Sequence, residues 1–269
     1  MQPLMPNFDP VIFSLGPLQV RWYGLMYVIG FLLGGRLYLK LCREKFVKLP
    51  VEKLDMYIFH IIIGMFLGAR LLFVFVYNWD YYSENLSEIF TVWKGGLSFH
   101  GGFLGFVIVC IIYSKKYKIP FFNLADGIVL TATPGLFFGR MGNFINGELY
   151  GRITDVPWGM IFHNGGPYPR HPSQLYEGIG EGVILLAILW ILKYRVKYQG
   201  ILSATFLIGY GCIRFTVEFF REPDVQLGYY FGGTTTMGQI LCMLMIIAGI
   251  GLMTYSIKSK ELIMSVKLK

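Results

Sequence analysis

The chemistry in this sequence concentrates in one stretch, Gly139-Arg140-Met141-Gly142-Asn143-Phe144-Ile145-Asn146-Gly147-Glu148-Leu149-Tyr150-Gly151-Arg152. Its glycines allow close backbone approach and positive φ. Asn146-Gly147 is a turn dipeptide. Between the glycines stand Arg140, Asn143, Asn146, Glu148 and Arg152. A glycine-rich backbone supplies N–H groups, arginine supplies a charged planar fork that fits phosphate, and Asn and Glu can bind hydroxyls. Together these types suit a phosphate ester of a polyol. The plain alternative is a helix–loop with incidental polar residues, and so many of them at the end of an apolar run argue against it.

Arg70, Arg140 and Arg214 lie within or against apolar runs, while Arg21, Arg36 and Lys40 fall near the ends of one and can snorkel. A charge inside a membrane costs roughly 2.5–3.5 kcal/mol even on the lenient insertion scale. It persists when paired, as Arg214 can be with Glu218 one turn later, or when it serves an anion. The cysteines, Cys42, Cys110, Cys212 and Cys242, lie in apolar runs or a basic loop, so no disulfide framework is expected. No His or Cys cluster has metal-ligand spacing, and neither a metal nor another cofactor is expected.

The elements that must position these residues are membrane helices. Hydrophobic residues make up 55% of the 269 residues and charged ones only 15%, against roughly 25% in a soluble domain. The net charge of +8 could suggest nucleic acid, but the basic residues sit in short clusters between apolar segments, so no nucleic-acid partner is expected. Spanning helices need about 20 mostly apolar residues. Seven are expected, near 19–40, 56–77, 97–113, 121–141, 175–192, 201–220 and 236–257. The expected fold is an all-α polytopic membrane protein, a single integral domain over 1–269. Within it 142–174 forms a functional outer segment between the fourth and fifth helices.

Alternate connections and the tail carry 14 Lys and Arg, the other connections four. The positive-inside rule then puts the N-terminus outside and the C-terminus in the cytoplasm. Residues 1–20 carry no Lys or Arg, so the positive region of a cleavable signal is missing and the first span is expected to direct insertion. No internal repeat is evident, which counts mildly against a transporter of repeated halves.

The 139–152 stretch closely resembles the signature of bacterial prolipoprotein diacylglyceryl transferases. The resemblance extends, in order, through Arg21-Trp22-Tyr23-Gly24, Gly95-Gly96-Leu97-Ser98-Phe99-His100-Gly101-Gly102, His171-Pro172-Ser173-Gln174-Leu175-Tyr176-Glu177, and Arg214 to Glu218, Arg221 and Pro223-Asp224. Tyr150 departs from it, since the family often has Trp there. The resemblance implies an enzyme that moves the diacylglyceryl group of phosphatidylglycerol to the lipobox cysteine of a prolipoprotein. A thioether forms and glycerol phosphate leaves, the first step of lipoprotein maturation. It implies a multi-pass protein of the bacterial plasma (inner) membrane, among membrane lipids, working toward the outer leaflet. Its implied functional positions are Arg140, Asn143, Glu148 and Gly151, with Tyr23, His100, Tyr210 and Arg214.

The residues suit that chemistry. Attack at an sp³ carbon needs a thiolate and a stabilised leaving phosphate. A free thiol has a pKa of about 8.5, so it needs a base or a positive field. His100 is the base candidate, and Arg140 with Arg214 supplies the alternative field. The catalytic set expected is therefore His100, Arg140, Arg214 and Tyr23. Arg140, Asn143, Glu148, Gly151, Arg214 and Tyr210 are expected to bind the lipid. Glu218 is expected to hold Arg214, with Asn146 in support. His60 reads as structural and His163 lacks a motif. Ser173 reads as an N-cap for the fifth helix with Glu177 in its first turn. The rival readings are a phospholipid or anion transporter and a structural membrane protein with paired charges.

Overall fold

The computed structural model describes residues 4–6, 8–16, 18–222, 229–230 and 235–263. The Pro223-Asp224 motif and the terminal Lys267 and Lys269 lie outside them. Six helices among the described residues are long and apolar enough to cross a membrane: Trp22–Arg43, Val51–Tyr77, Phe99–Tyr117, Phe121–Ile145, Ser173–Lys193 and Met237–Ser259. A further apolar helix, Ile201–Val217, has 17 residues. At 1.5 Å per residue it reaches about 25 Å, short of a hydrocarbon core of about 30 Å. The protein is an all-α polytopic membrane protein, with helices at all seven expected places. It folds as two compact units, residues 41–125 and residues 1–40 with 126–269.

In the unit of residues 41–125, α2 (Leu54–Leu72) packs on α4 (Phe99–Tyr117), with the short α3 (Trp79–Glu84) between them in sequence; α1 (Trp22–Arg43) belongs up to Lys40 to the other unit. Gly64 and Gly68 on α2 face Gly101 and Gly105 on α4, and an added Cβ at Gly68, Gly101 or Gly105 would run into the opposing backbone. Lipid gives helices no hydrophobic drive toward each other, so association relies on such close backbone approach. α2 runs on as a π-helical turn, Phe73–Tyr77, into a segment of short turns, Leu86–Phe90 and Val92–Lys94. Arg70, 4% exposed, closes that segment. Its Nε donates to Ile89 O (2.8 Å), Nη1 to Gly95 O (2.8 Å) and Gly96 O (3.0 Å), and Nη2 to Glu88 O (2.8 Å). The anion role open to Arg70 from sequence is thus filled by backbone carbonyls. His60 shares a hydrogen bond of 2.8 Å with the Tyr113 hydroxyl.

The other unit starts with an antiparallel hairpin, β1 (Val11–Leu15) and β2 (Leu18–Arg21), before α1. Residues 19–21, expected to open the first helix, are strand instead, and Arg21 Nη2 donates to Gln19 Oε1 at 2.9 Å. The long helix α5 (Phe121–Ile145) contains Pro134, which cannot donate to Leu130 O one turn earlier. Thr133 Oγ1 donates to that carbonyl instead, at 3.2 Å. The fifth span is α6 (Ser173–Glu177), a π-helical stretch Gly178–Ile184, and α7 (Leu185–Lys193). α8 (Ile201–Val217) follows, then the short pair β3 (Tyr229–Tyr230) and β4 (Thr235–Thr236), then α9 (Met237–Ser259). Buried Asp126 on α5 caps α8, accepting from Gly200 N (2.7 Å), Ser203 N (2.8 Å) and Ser203 Oγ (2.6 Å).

Ser173 is not an N-cap. Pro172 takes that place without a side-chain cap bond, and the Ser173 hydroxyl donates to Leu149 O at 3.0 Å, tying the preceding loop to the helix start.

Candidate functional site

Helix α5 carries the signature further than its glycines suggest, to Ile145, so Arg140 and Asn143 stand on a rigid helix and the loop begins at Asn146. The loop is knitted by main-chain bonds. Gly151 N donates to His171 O (2.8 Å), Arg152 N to Phe220 O (2.9 Å), and Met160 and Arg170 exchange a pair (2.9 and 2.8 Å). Gly151 is threaded so closely between His171 and the Phe220 carbonyl that any Cβ would collide with both. That explains the glycine: it holds loop geometry. Tyr150 stacks on Phe162, lies under the Arg170 guanidinium (4.8 Å) and donates to Asn164 O at 2.7 Å. Trp158 Nε1 donates to the Tyr176 hydroxyl (2.7 Å), which shares a hydrogen bond with His171 Nδ1 (3.1 Å). Burial holds the His171 imidazole below the ordinary histidine value.

Glu148 is exposed, and its Oε1 accepts from Asn143 Nδ2 (2.8 Å) and Asn146 Nδ2 (3.3 Å). Gln174 Nε2 secures the Glu148 main chain at 2.7 Å. Two amides thus orient one carboxylate at the mouth of the loop. Tyr23 packs on the open face of Gly142, where an added Cβ would come within 2.8 Å of its ring, and its hydroxyl lies 3.1 Å from that of Tyr27.

The charged centre lies beside this. Glu177, 1% exposed, forms an ion pair with Arg140 Nε through Oε2 at 2.7 Å, without hydrogen-bond geometry, and accepts from Arg214 Nη1 on Oε1 at 3.0 Å. Arg214 Nη2 reaches Glu218 Oε2 at 2.9 Å, and the other Glu218 oxygen accepts from Thr236 Oγ1 at 2.9 Å. Glu181, wholly enclosed, lies 3.8 Å from Arg140 Nη2 and receives no hydrogen bond among the described residues. The two arginines therefore differ. Arg214, 12% exposed, has both η nitrogens on carboxylates. Arg140, 21% exposed, is anchored by its Nε edge, and no hydrogen bond occupies its η nitrogens among the described residues. Tyr210 lies one turn before Arg214, its ring stacked on Phe206.

His100 belongs to the other unit. It is exposed at the start of α4, with Nδ1 3.0 Å from the Tyr77 hydroxyl, and Ser98 caps that helix by accepting from Gly101 N at 3.2 Å.

Glu181 is the acid of this cluster that sequence reasoning passed over, and Glu177 was read there only as a first-turn acid of the fifth helix. Their signal was present: two acids four residues apart inside an apolar run, where acids are costly and usually functional.

The fold is that of a polytopic membrane protein, and at the end of its apolar spans an arginine pairs with buried acids beside a carboxylate held by two amides. A family model for prolipoprotein diacylglyceryl transferase matches residues 10–255. A phosphatidylglycerol–prolipoprotein diacylglyceryl transferase of Nitratidesulfovibrio vulgaris is 48% identical over 248 residues, covering 92% of this chain and 94% of the relative. One from Pseudomonas aeruginosa is 48% identical over 254 residues (93% and 94%), and one from Pasteurella multocida 46% over 255 (94% and 94%). The chain belongs to the prolipoprotein diacylglyceryl transferase family.

Proposed function

We propose that the Arg140 cluster holds the phosphate of phosphatidylglycerol while the lipobox cysteine of a prolipoprotein attacks the adjacent glyceryl carbon. A sulfur–carbon bond forms, the carbon–oxygen bond breaks, and the electron pair leaves on the phosphate oxygen of glycerol phosphate. The thiol proton goes to a base. The observation that carries this reading is Arg140, paired with Glu177 through Nε while its η nitrogens carry no hydrogen bond among the described residues and Nη2 lies 3.8 Å from Glu181. Those donors suit the phosphate, while Arg214, its fork occupied, adds positive field from behind. Glu148, with Asn143 and Asn146, suits the glycerol hydroxyls, and Tyr23 and Tyr210 border the same region. His100, oriented by Tyr77, is the base in this reading, and the arginine field is the competing source of thiolate.

The chain works as one membrane domain in the bacterial plasma membrane, N-terminus outside, with the site toward the outer leaflet. The distribution of Lys and Arg between alternate connections supports that orientation. Family membership does not favour the transporter alternative.

The test uses purified protein, phosphatidylglycerol vesicles and a lipobox peptide. The peptide is expected to gain a diacylglyceryl thioether, with one glycerol phosphate released per transfer. A peptide left unmodified, or a product lacking the thioether, refutes the proposal.

A further inference from the structure

Arg140 stands on α5 and Arg214 on α8, and two like charges so placed repel each other. Between them the fifth span inserts a single carboxylate. Glu177 spends one oxygen on each arginine, 2.7 Å from Arg140 Nε and 3.0 Å from Arg214 Nη1, and is itself 1% exposed. Its choice of atoms matters. By taking the Nε edge of Arg140 it leaves the η edge for a ligand, whereas a carboxylate on the η edge would block it. Glu181 sits ready to do that: it is wholly enclosed, 3.8 Å from Arg140 Nη2, with neither oxygen hydrogen-bonded among the described residues. Gly182 lets the helix bearing both acids approach α5, since a Cβ there would run into Phe137 (2.5 Å) and its backbone (2.9 Å).

We propose that Glu177 is a positioning residue for the transfer: it yokes Arg140 to Arg214 and keeps the η edge of Arg140 open for the phosphodiester. This rests on the function proposed above. Without the Glu177 charge, Arg140 turns onto Glu181 and its η edge closes. The phosphate then meets a misplaced fork, in a site that carries one negative charge fewer. The yoke thus governs turnover more than attraction for the anion.

The test is steady-state transfer from phosphatidylglycerol vesicles to a lipobox peptide by the full chain, with Glu177→Gln, Glu177→Asp and the Glu177→Gln/Glu181→Gln double variant. For Glu177→Gln, kcat is expected to fall about 10²-fold, the scale of a misplacement near 1 Å. KM for the lipid is expected to stay level or fall. Glu177→Asp keeps the charge and is expected to recover part of kcat. Removing Glu181 as well is expected to raise kcat above that of Glu177→Gln, because the competing carboxylate is gone. A merely structural role gives a lowered melting temperature and no such recovery in the double variant. Should folded Glu177→Gln turn over within about threefold of the wild type, or the double variant fall below the single one, the inference is overturned. Failure of the wild type to form any thioether sinks the functional reading and this inference together; wild-type transfer with an unaffected Glu177→Gln sinks the inference alone.

Discussion

Replacing Arg140 by lysine separates charge from geometry. The guanidinium meets Glu177 through Nε at 2.7 Å, while its Nη2 lies 3.8 Å from Glu181 and no hydrogen bond occupies its η nitrogens among the described residues. An ammonium is one compact donor group on a flexible stem. It can sit on Glu177 or reach a phosphate, but it cannot do both in the arginine geometry. The variant therefore keeps the positive charge and loses one charge-assisted hydrogen bond to the phosphate. Such a bond is worth about 1.5–3 kcal/mol, and about 1.4 kcal/mol is a factor of ten, so kcat/KM is expected to fall about 10- to 150-fold. Arg140→Gln loses the charge as well and is expected to fall further. The assay is thioether formation on a lipobox peptide at several phosphatidylglycerol densities, with a melting curve to establish that each variant is folded. Wild-type kcat/KM in folded Arg140→Lys would refute a bidentate role for this residue.

Three further outcomes follow from other parts of the fold. If His100 is the base, folded His100→Asn should lose about 10²–10⁴-fold in turnover at neutral pH and recover as pH rises and thiolate forms unaided; near wild-type turnover at pH 7 would leave the arginine field as the activator. Gly151→Ala should unseat the loop from His171 and Phe220, seen as a lowered melting temperature with loss of transfer, and a variant of unchanged stability would contradict the close approach. Asp126→Asn should destabilise the protein by at least about 2 kcal/mol, because an amide cannot accept from Gly200 and Ser203 as the carboxylate does; equal melting of the two proteins would rule out this cap as a stabilising device.

The spans were legible because a bilayer demands long apolar runs, and six of the seven expected segments are long enough to cross. Their edges were less so. Residues 19–21, Gln19-Val20-Arg21, read as helix because they adjoin the apolar run that starts at Trp22, yet pairing of Leu18–Arg21 with Val11–Leu15 makes them strand. Ser173 looked like a cap because Ser is common at that place, but its hydroxyl answers a carbonyl 24 residues earlier. The same limit hid the yoke. Glu177 meets Arg140 and Arg214, each 37 residues away, and local spacing does not reveal such a partnership. Arg214 with Glu218 was readable since the two lie one turn apart on one helix face. Arg70 stood out as a costly charge, but its partners are backbone carbonyls, which leave no trace in side-chain spelling.

That last arrangement shapes how the segment before His100 can drift. Arg70 grips the carbonyls of Glu88, Ile89, Gly95 and Gly96 and reads no side chain among them. A clasp of this kind is indifferent to spelling, so the turns from Leu86 to Val92 are free to exchange residues while the path of the chain is kept. Gly95 and Gly96 are the exceptions: both hold positive φ (88° and 83°), and a methyl group on Gly96 would also press into Arg70 and Phe73. Variation along this stretch is therefore expected to spare the arginine and those two glycines, and to range widely over the turns they hold.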